Sequence, residues 1–287
     1  MKKQRKKEKS KKGKMISRKI NRRAGKKKKI RKLISKRKST KKINKKISPG
    51  KIKKKTIGKR IPTGIAGFDK LISRGFEEGS INLLVGGEGS GKTIFAMQFL
   101  IEGVKRGENI LYITFEESKE EFFENMSKFG WDLGKLERDG KFTFLEYSPE
   151  KIKMMLDEGG GAIESIIYTK KIKRMIIDSI SSFSLLFGEE QEKRHAILAL
   201  FNIIKKWDCT TLLTLQKDPS ERDEENDSSV EYHSDSLILL YFVKIKDERE
   251  RFIEVVKMRG TKHSTGTYRF DIGKKGIKIG KKTKLKI

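Results

Sequence analysis

Apolar residues along this chain switch repeatedly between strand-like runs and helix-like spacing. Ile81 to Val85 is a near-continuous apolar run, the pattern of a strand covered on both faces. A helix-compatible stretch, Thr93 to Arg106, follows it, and Asn109 to Phe115, rich in β-branched and aromatic residues, predicts a second strand. Ser118 and Glu121 form an S-x-x-E capping pattern ahead of Phe122, Phe123, Met126 and Phe129 at helical spacing. Lys141 to Leu145 reads as a strand, and Gly159-Gly160-Gly161 divides Ile152 to Tyr168 into two short helices. Met175 to Ile177 is a short buried strand ending in Asp178. Glu190 to Trp207 is an amphipathic helix and Thr210 to Leu215 another strand. This alternation predicts an α/β fold, a mainly parallel sheet flanked by helices. Beyond it, Leu237 to Val243, Phe252 to Lys257, Thr267 to Phe270 and Ile277 to Ile279 are joined by short charged or glycine turns, predicting an antiparallel extension.

Charge separates the chain into two parts. The 287 residues carry a net charge of +31, and residues 1 to 60 hold 32 Lys and Arg against one acid, Glu8. The remainder balances at 37 bases and 37 acids. No aromatic residue precedes Phe68, so residues 1–57 are expected to be a disordered polybasic tail and residues 58–287 one α/β domain. Cations without stacking groups suit sequence-independent contact with DNA or RNA; a solubilising or targeting arm fits the same composition. The acidic run Asp218 to Asp227 would repel a threaded nucleic-acid strand, which places any such contact on the tail. The lone Cys209 sits in an apolar run as a buried strand residue. With no cysteine pair, no long apolar span and no signal-peptide core, a cytoplasmic location is expected.

The chemistry is concentrated at strand ends. Gly86-Gly87-Glu88-Gly89-Ser90-Gly91-Lys92-Thr93 reads G-x-x-x-x-G-K-T between a predicted strand and a predicted helix, the setting of a phosphate-binding loop. Its glycines let backbone N–H groups close around a polyphosphate, Lys92 supplies a point charge for the β- and γ-phosphates, and the Thr93 hydroxyl suits Mg²⁺. Asp178 is the expected second magnesium carboxylate. Ser179 follows it where many ATPases place a catalytic glutamate, so Glu116 and Glu117 at another strand end are candidates to polarise water; an acidic first helical turn, which the helix dipole also favours, is compatible with that role. Gln216 suits a γ-phosphate sensor or an ordinary strand-end amide. Lys257, Arg259 and His263 suit phosphate contacts in their own or a neighbouring subunit, or plain solvated charges.

The motifs Pro62-Thr63-Gly64-Ile65-Ala66-Gly67-Phe68-Asp69, the loop itself, Thr114-Phe115-Glu116-Glu117, Ile177-Asp178-Ser179 and Lys257-Met258-Arg259-Gly260-Thr261-Lys262-His263 occur in one order. In these the body resembles the KaiC-like branch of the RecA-type ATPases. The resemblance implies a RecA-like fold, ATP with Mg²⁺, Glu116 and Glu117 as the catalytic pair, and Lys257 and Arg259 reaching ATP on an adjacent subunit. It also implies a homo-oligomeric ring, commonly a hexamer. Glu88 stands where the family usually has proline, placing a negative side chain near the phosphates. Only one such domain is present, whereas the clock protein has two in tandem, so a clock role is not implied. Two functions follow as expectations: a ring-forming regulatory ATPase, or a nucleic-acid-associated protein in which ATP mainly stabilises assembly.

Overall fold

The computed structural model describes residues 58–148, 151, 154, 158–184, 186–219 and 228–283. The tail, most of the first of the two short helices after Ile152, and the acidic run from residue 220 to Asp227 lie outside those residues.

A two-stranded antiparallel ribbon, β1 (Arg60–Ile61) with β2 (Phe76–Glu77), carries helix α1 (Phe68–Leu71) between its strands. There follow β3 (Ile81–Gly86), α2 (Lys92–Lys105), β4 (Asn109–Thr114), α3 (Lys119–Ser127), α4 (Leu133–Arg138), β5 (Phe142–Glu146), α5 (Gly161–Lys170), β6 (Ile172–Asp178) and α6 (Ile180–Ser184). The remaining elements are α7 (Glu190–Lys206), β7 (Thr210–Gln216), α8 (Ser228–His233), β8 (Ser236–Ile245), β9 (Glu248–Met258), β10 (Thr267–Gly273) and β11 (Gly276–Thr283). Nine strands form one sheet in the order β11-β10-β9-β8-β3-β7-β6-β4-β5. The six strands from β8 to β5 run parallel, and β9, β10 and β11 continue antiparallel from β8. This is the RecA-like fold, with the antiparallel extension expected at its end.

Successive residues of the parallel strands enter opposite cores, which explains their unbroken apolar runs. Leu84, Tyr112, Ile176 and Leu212 pack with Phe95, Phe99 and Leu100 of α2 and Phe122 of α3. Leu83, Leu111, Ile177 and Leu213 pack on the other side with Ile163 of α5, Phe183 of α6, and Ile197, Leu200 and Ile204 of α7. Ser118 caps α3 as its sequence pattern requires, its side chain accepting from the Glu121 N–H. Cys209 is buried, and burial pushes its thiol up to about 12.

Strand β6 is longer than the expected Met175–Ile177, because Arg174 lies inside the protein at 0% exposure. Its Nε donates to Glu108 at 2.5 Å, and Nη1 donates to the carbonyls of Pro62 at 2.7 Å and Phe99 at 2.9 Å. The guanidinium also lies over the Phe99 ring at 4.8 Å. One buried cation thus ties the domain's entrance segment to α2 and the sheet. Among the described residues, no helix is long and apolar enough to cross a membrane.

Candidate nucleotide site

The carboxyl edge of the parallel sheet gathers most of the expected groups, as ligand sites in such sheets do. Gly86 ends β3 and is buried against Leu240 of β8; a Cβ there would lie 2.5 Å from Ser90 Oγ and 2.9 Å from the Leu240 carbonyl, so no larger residue fits. The loop then closes onto α2, whose N-cap Gly91 has a φ of 98°, in the left-handed region that favours glycine. Lys92 turns back across this loop and donates to the carbonyls of Gly86 at 2.8 Å and Gly87 at 2.9 Å. Burial lowers the proton affinity of Lys92, while Asp178, Glu116 and Glu88 act in the opposite sense.

Asp178 ends β6 within reach of α2. Its Oδ2 accepts from the Thr93 hydroxyl at 3.2 Å and from the buried Tyr112 hydroxyl at 2.5 Å, and its Oδ1 accepts from Thr214. Three hydroxyls from three elements therefore fix one carboxylate. The paired oxygens of Thr93 and Asp178 form a hard donor set of the kind Mg²⁺ takes, one or two protein oxygens completed by phosphate and water. Burial first, then the adjacent Asp178 charge, drives the Tyr112 phenol well above its ordinary range, so it remains a donor. Neither Tyr112 nor Thr214 was a sequence candidate; the polar Thr214 in an otherwise buried strand was the available signal.

Glu116 and Glu117 follow β4, where the Thr114 hydroxyl accepts both of their backbone N–H groups, at 3.2 and 3.3 Å. Their side chains sit in different surroundings. Glu116 Oε1 accepts from the Ser179 hydroxyl at 2.6 Å and from Ser182, so the segment after Asp178 holds it. Glu117 has its carboxyl raised above the usual range by burial, then by Asp178 and Glu116. The Asp178–Ser179 peptide between these groups is cis. Gln216, at the end of β7, is held through its backbone N–H by Ser181 Oγ at 2.7 Å, and its side-chain amide donates to Glu88 Oε1 at 3.1 Å. Glu88 is exposed and reaches for β7 rather than into the cradle.

Lys257 and Arg259 are not part of this gathering. β9 runs antiparallel, and Lys257 pairs with Leu237, while the Arg259 N–H bonds Asp235 beside Ile81 at the start of β3. From Ile81 to Gly86 the strand rises about 16 Å. The two cations thus lie near the opposite edge of their own sheet, where Lys257 Nζ donates to the carbonyls of Glu231 at 2.9 Å and Tyr232 at 3.0 Å. Arg259 Nη2 donates to the same Tyr232 carbonyl at 2.5 Å. His263 stays local, its Nδ1 lying 3.3 Å from the Thr261 carbonyl. A cavity of about 270 Å³ at this edge is lined by Glu77, Asn82, Asp235 and Arg259 among others.

A family model described as "ATPase: KaiC" matches residues 61–284. KaiC3, a circadian clock protein of Synechocystis sp., is 33% identical over 237 residues, covering 79% of this chain and 47% of that protein. A UPF0273 protein of Thermotoga maritima is 33% identical over 234 residues, covering 77% of this chain and 96% of its own length. The crystal structure of a KaiC-like protein from Pyrococcus horikoshii superposes with a TM-score of 0.70 at 34% identity, covering 78% of this chain and 100% of that one. The chain spans about half the length of the clock protein but nearly all of the shorter relatives.

Proposed function

This chain belongs to the KaiC family of ATPases, and on that premise we propose that it binds and hydrolyses Mg-ATP in the loop Gly86–Thr93 as a ring-forming regulatory ATPase. The observation that carries this reading is the convergence of Lys92, Thr93, Asp178 and the Glu116–Glu117 pair on one sheet edge, with Thr93 and Asp178 oxygens 3.2 Å apart. Loop amides and the positive end of α2 receive the phosphates, and Lys92 leaves the Gly86 and Gly87 carbonyls to meet the β- and γ-phosphate oxygens. Bound Mg²⁺, next to Thr93 and Asp178, would neutralise charge on those same phosphates. Glu117 takes a proton from the attacking water as the water oxygen bonds to the γ-phosphorus; the bond to the bridging oxygen breaks, and ADP and phosphate result. Burial, then the neighbouring Asp178 and Glu116 charges, raises the Glu117 carboxyl and suits it to receive that proton. Glu116, gripped by Ser179 and Ser182, orients the water. Gln216 exchanges Glu88 for the γ-phosphate.

The opposite placement of Lys257 and Arg259 supports assembly, because cations that cannot reach their own loop can meet the loop of the next subunit. A heterologous contact of this kind closes into a ring when its rotation permits. Light scattering on the full chain is expected to show a mass several times that of the protomer, approaching a hexamer, when Mg-ATP is added. A monomer that binds Mg-ATP without changing mass would remove the ring and the intersubunit role of Lys257 and Arg259.

Residues 58–287 act in this reading as one ATPase domain in the cytoplasm, behind the polybasic segment 1–57. That segment, with its bases and single acid, is proposed to contact DNA or RNA backbones without regard to sequence. Affinity for random-sequence duplex should fall with salt on a log–log slope on the order of −10 if about a dozen phosphates are met. An affinity equal at low and high salt would count against it.

A further inference from the structure

Beside the phosphate loop lies a group that its motif does not contain. Arg251, on β9, donates from Nε to the Gly89 carbonyl at 2.9 Å, across 162 residues of sequence. Its guanidinium lies over the ring of Phe242 at 4.2 Å, and Phe242 is its direct cross-strand partner on β8. The same ring closes on the loop: a Cβ at Gly89, whose φ is +68°, would meet Phe242 carbons at 3.1 and 3.3 Å. Arg249 donates to the Phe242 carbonyl at 3.1 Å and fixes the ring's own strand.

We propose that Arg251, seated on Phe242, is a positioning residue for nucleotide binding that holds the Gly89 carbonyl outward and thereby aims the Ser90 N–H into the phosphate cradle. The C=O and N–H of a trans peptide point in opposite directions, so fixing one sets the other. The Ser90 N–H does point across the loop, to the Gly87 carbonyl at 3.4 Å. That contact is long for an amide hydrogen bond, and a phosphate oxygen competes for the same N–H through a shorter, charge-assisted one. Glycine at 89 gives the loop its turn but no rigidity, since the residue visits many conformations when unrestrained. The antiparallel extension supplies that rigidity from outside the motif: a planar guanidinium, stacked and hydrogen-bonded at once, has little freedom left to lose.

This inference rests on the reading that the loop binds a nucleoside polyphosphate. Because loop amides cradle the α- and β-phosphates, an orienting Arg251 matters equally to ADP and ATP, whereas a direct contact to the γ-phosphate matters to ATP alone. The test is calorimetric titration of the full chain with Mg-ADP and Mg-ATP, for wild type, Arg251→Ala, Arg251→Lys and Phe242→Leu, with melting of each protein without nucleotide. Arg251→Ala is expected to weaken both nucleotides by about tenfold, the worth of one hydrogen bond to a charged partner. Arg251→Lys, which keeps a donor, should recover most of that loss. Phe242→Leu should weaken both by roughly threefold through the lost stacking. Should the alanine protein fail to fold, the other two variants decide: wild-type affinities in both would overturn the proposal. Unchanged binding in Arg251→Ala, a loss confined to ATP, or a loss that Lys does not relieve and that accompanies a collapsed melting temperature would each overturn it as well. Wild type binding neither nucleotide would instead remove the site itself; variants that match a wild type which does bind remove only this inference.

Discussion

Exchanging Glu116 and Glu117 together for glutamine should leave Mg-ATP affinity within about threefold of wild type while turnover falls by roughly 10²- to 10⁴-fold, the usual worth of a positioned general base. Glutamine preserves volume, and its carbonyl can still accept from the Ser179 and Ser182 hydroxyls that hold Glu116. It cannot take a proton from water. The single variants divide the effect: Glu117→Gln should account for most of it, because Glu117 is the carboxylate whose proton affinity burial and its acidic neighbours increase. A base works only when unprotonated, so the wild-type rate should fall with decreasing pH through a point above the ordinary glutamate range, and that limb should vanish in Glu117→Gln. Phosphate release in a single turnover, with bound ATP measured in parallel, separates the two quantities. Hydrolysis by the double variant at the wild-type rate would make turnover incidental and favour the reading in which ATP serves assembly alone.

The groups of this site that sequence makes legible are those whose meaning is local. Gly86 to Thr93 declares itself through spacing within eight residues, and Asp178 and Gln216 through their position after apolar runs. The alternation of runs also made the parallel sheet and its antiparallel extension readable. What stayed hidden depends on which strands become neighbours. Tyr112 and Thr214 look like sheet filling until β4, β6 and β7 lie side by side and their hydroxyls meet Asp178. Arg174 falls outside the expected strand Met175–Ile177, yet it is interior because Pro62, Phe99 and Glu108 supply its partners from far along the chain. The charged Glu248–Arg251 reads as a turn, but it extends β9, where Arg251 reaches the Gly89 carbonyl of the glycine loop. Helix α6 has five residues, too few for a period to show. Lys257 and Arg259 could be recognised as displayed cations, but only strand direction shows at which end of the sheet they stand.

Lys92→Ala should cost the most in binding, weakening Mg-ATP by at least about a hundredfold if the two charge-assisted contacts to phosphate are each worth about 1.5–3 kcal/mol. Two losses act together. On the proposed reading the cation disappears from a loop that receives several negative charges, and the Gly86 and Gly87 carbonyls lose the donor that now occupies them. Those carbonyls then present negative dipole ends near the incoming phosphates. The charge is the larger effect, because a partly buried cation faces phosphate with less water between them than at the surface. Burial alone would favour the neutral amine, but Asp178, Glu116 and Glu88 pull the other way and an arriving phosphate adds to their pull, so nucleotide binding stabilises the charge that it requires. The fold should tolerate the change: alanine is the best helix former, position 92 opens α2, and the lysine bonds shown are to its own loop. A melting temperature within a few degrees of wild type is therefore expected without nucleotide, together with little or no heat on titration with Mg-ATP. An alanine protein that binds Mg-ATP as tightly as wild type would take Lys92 out of the phosphate contacts, and the loop would no longer be the nucleotide site.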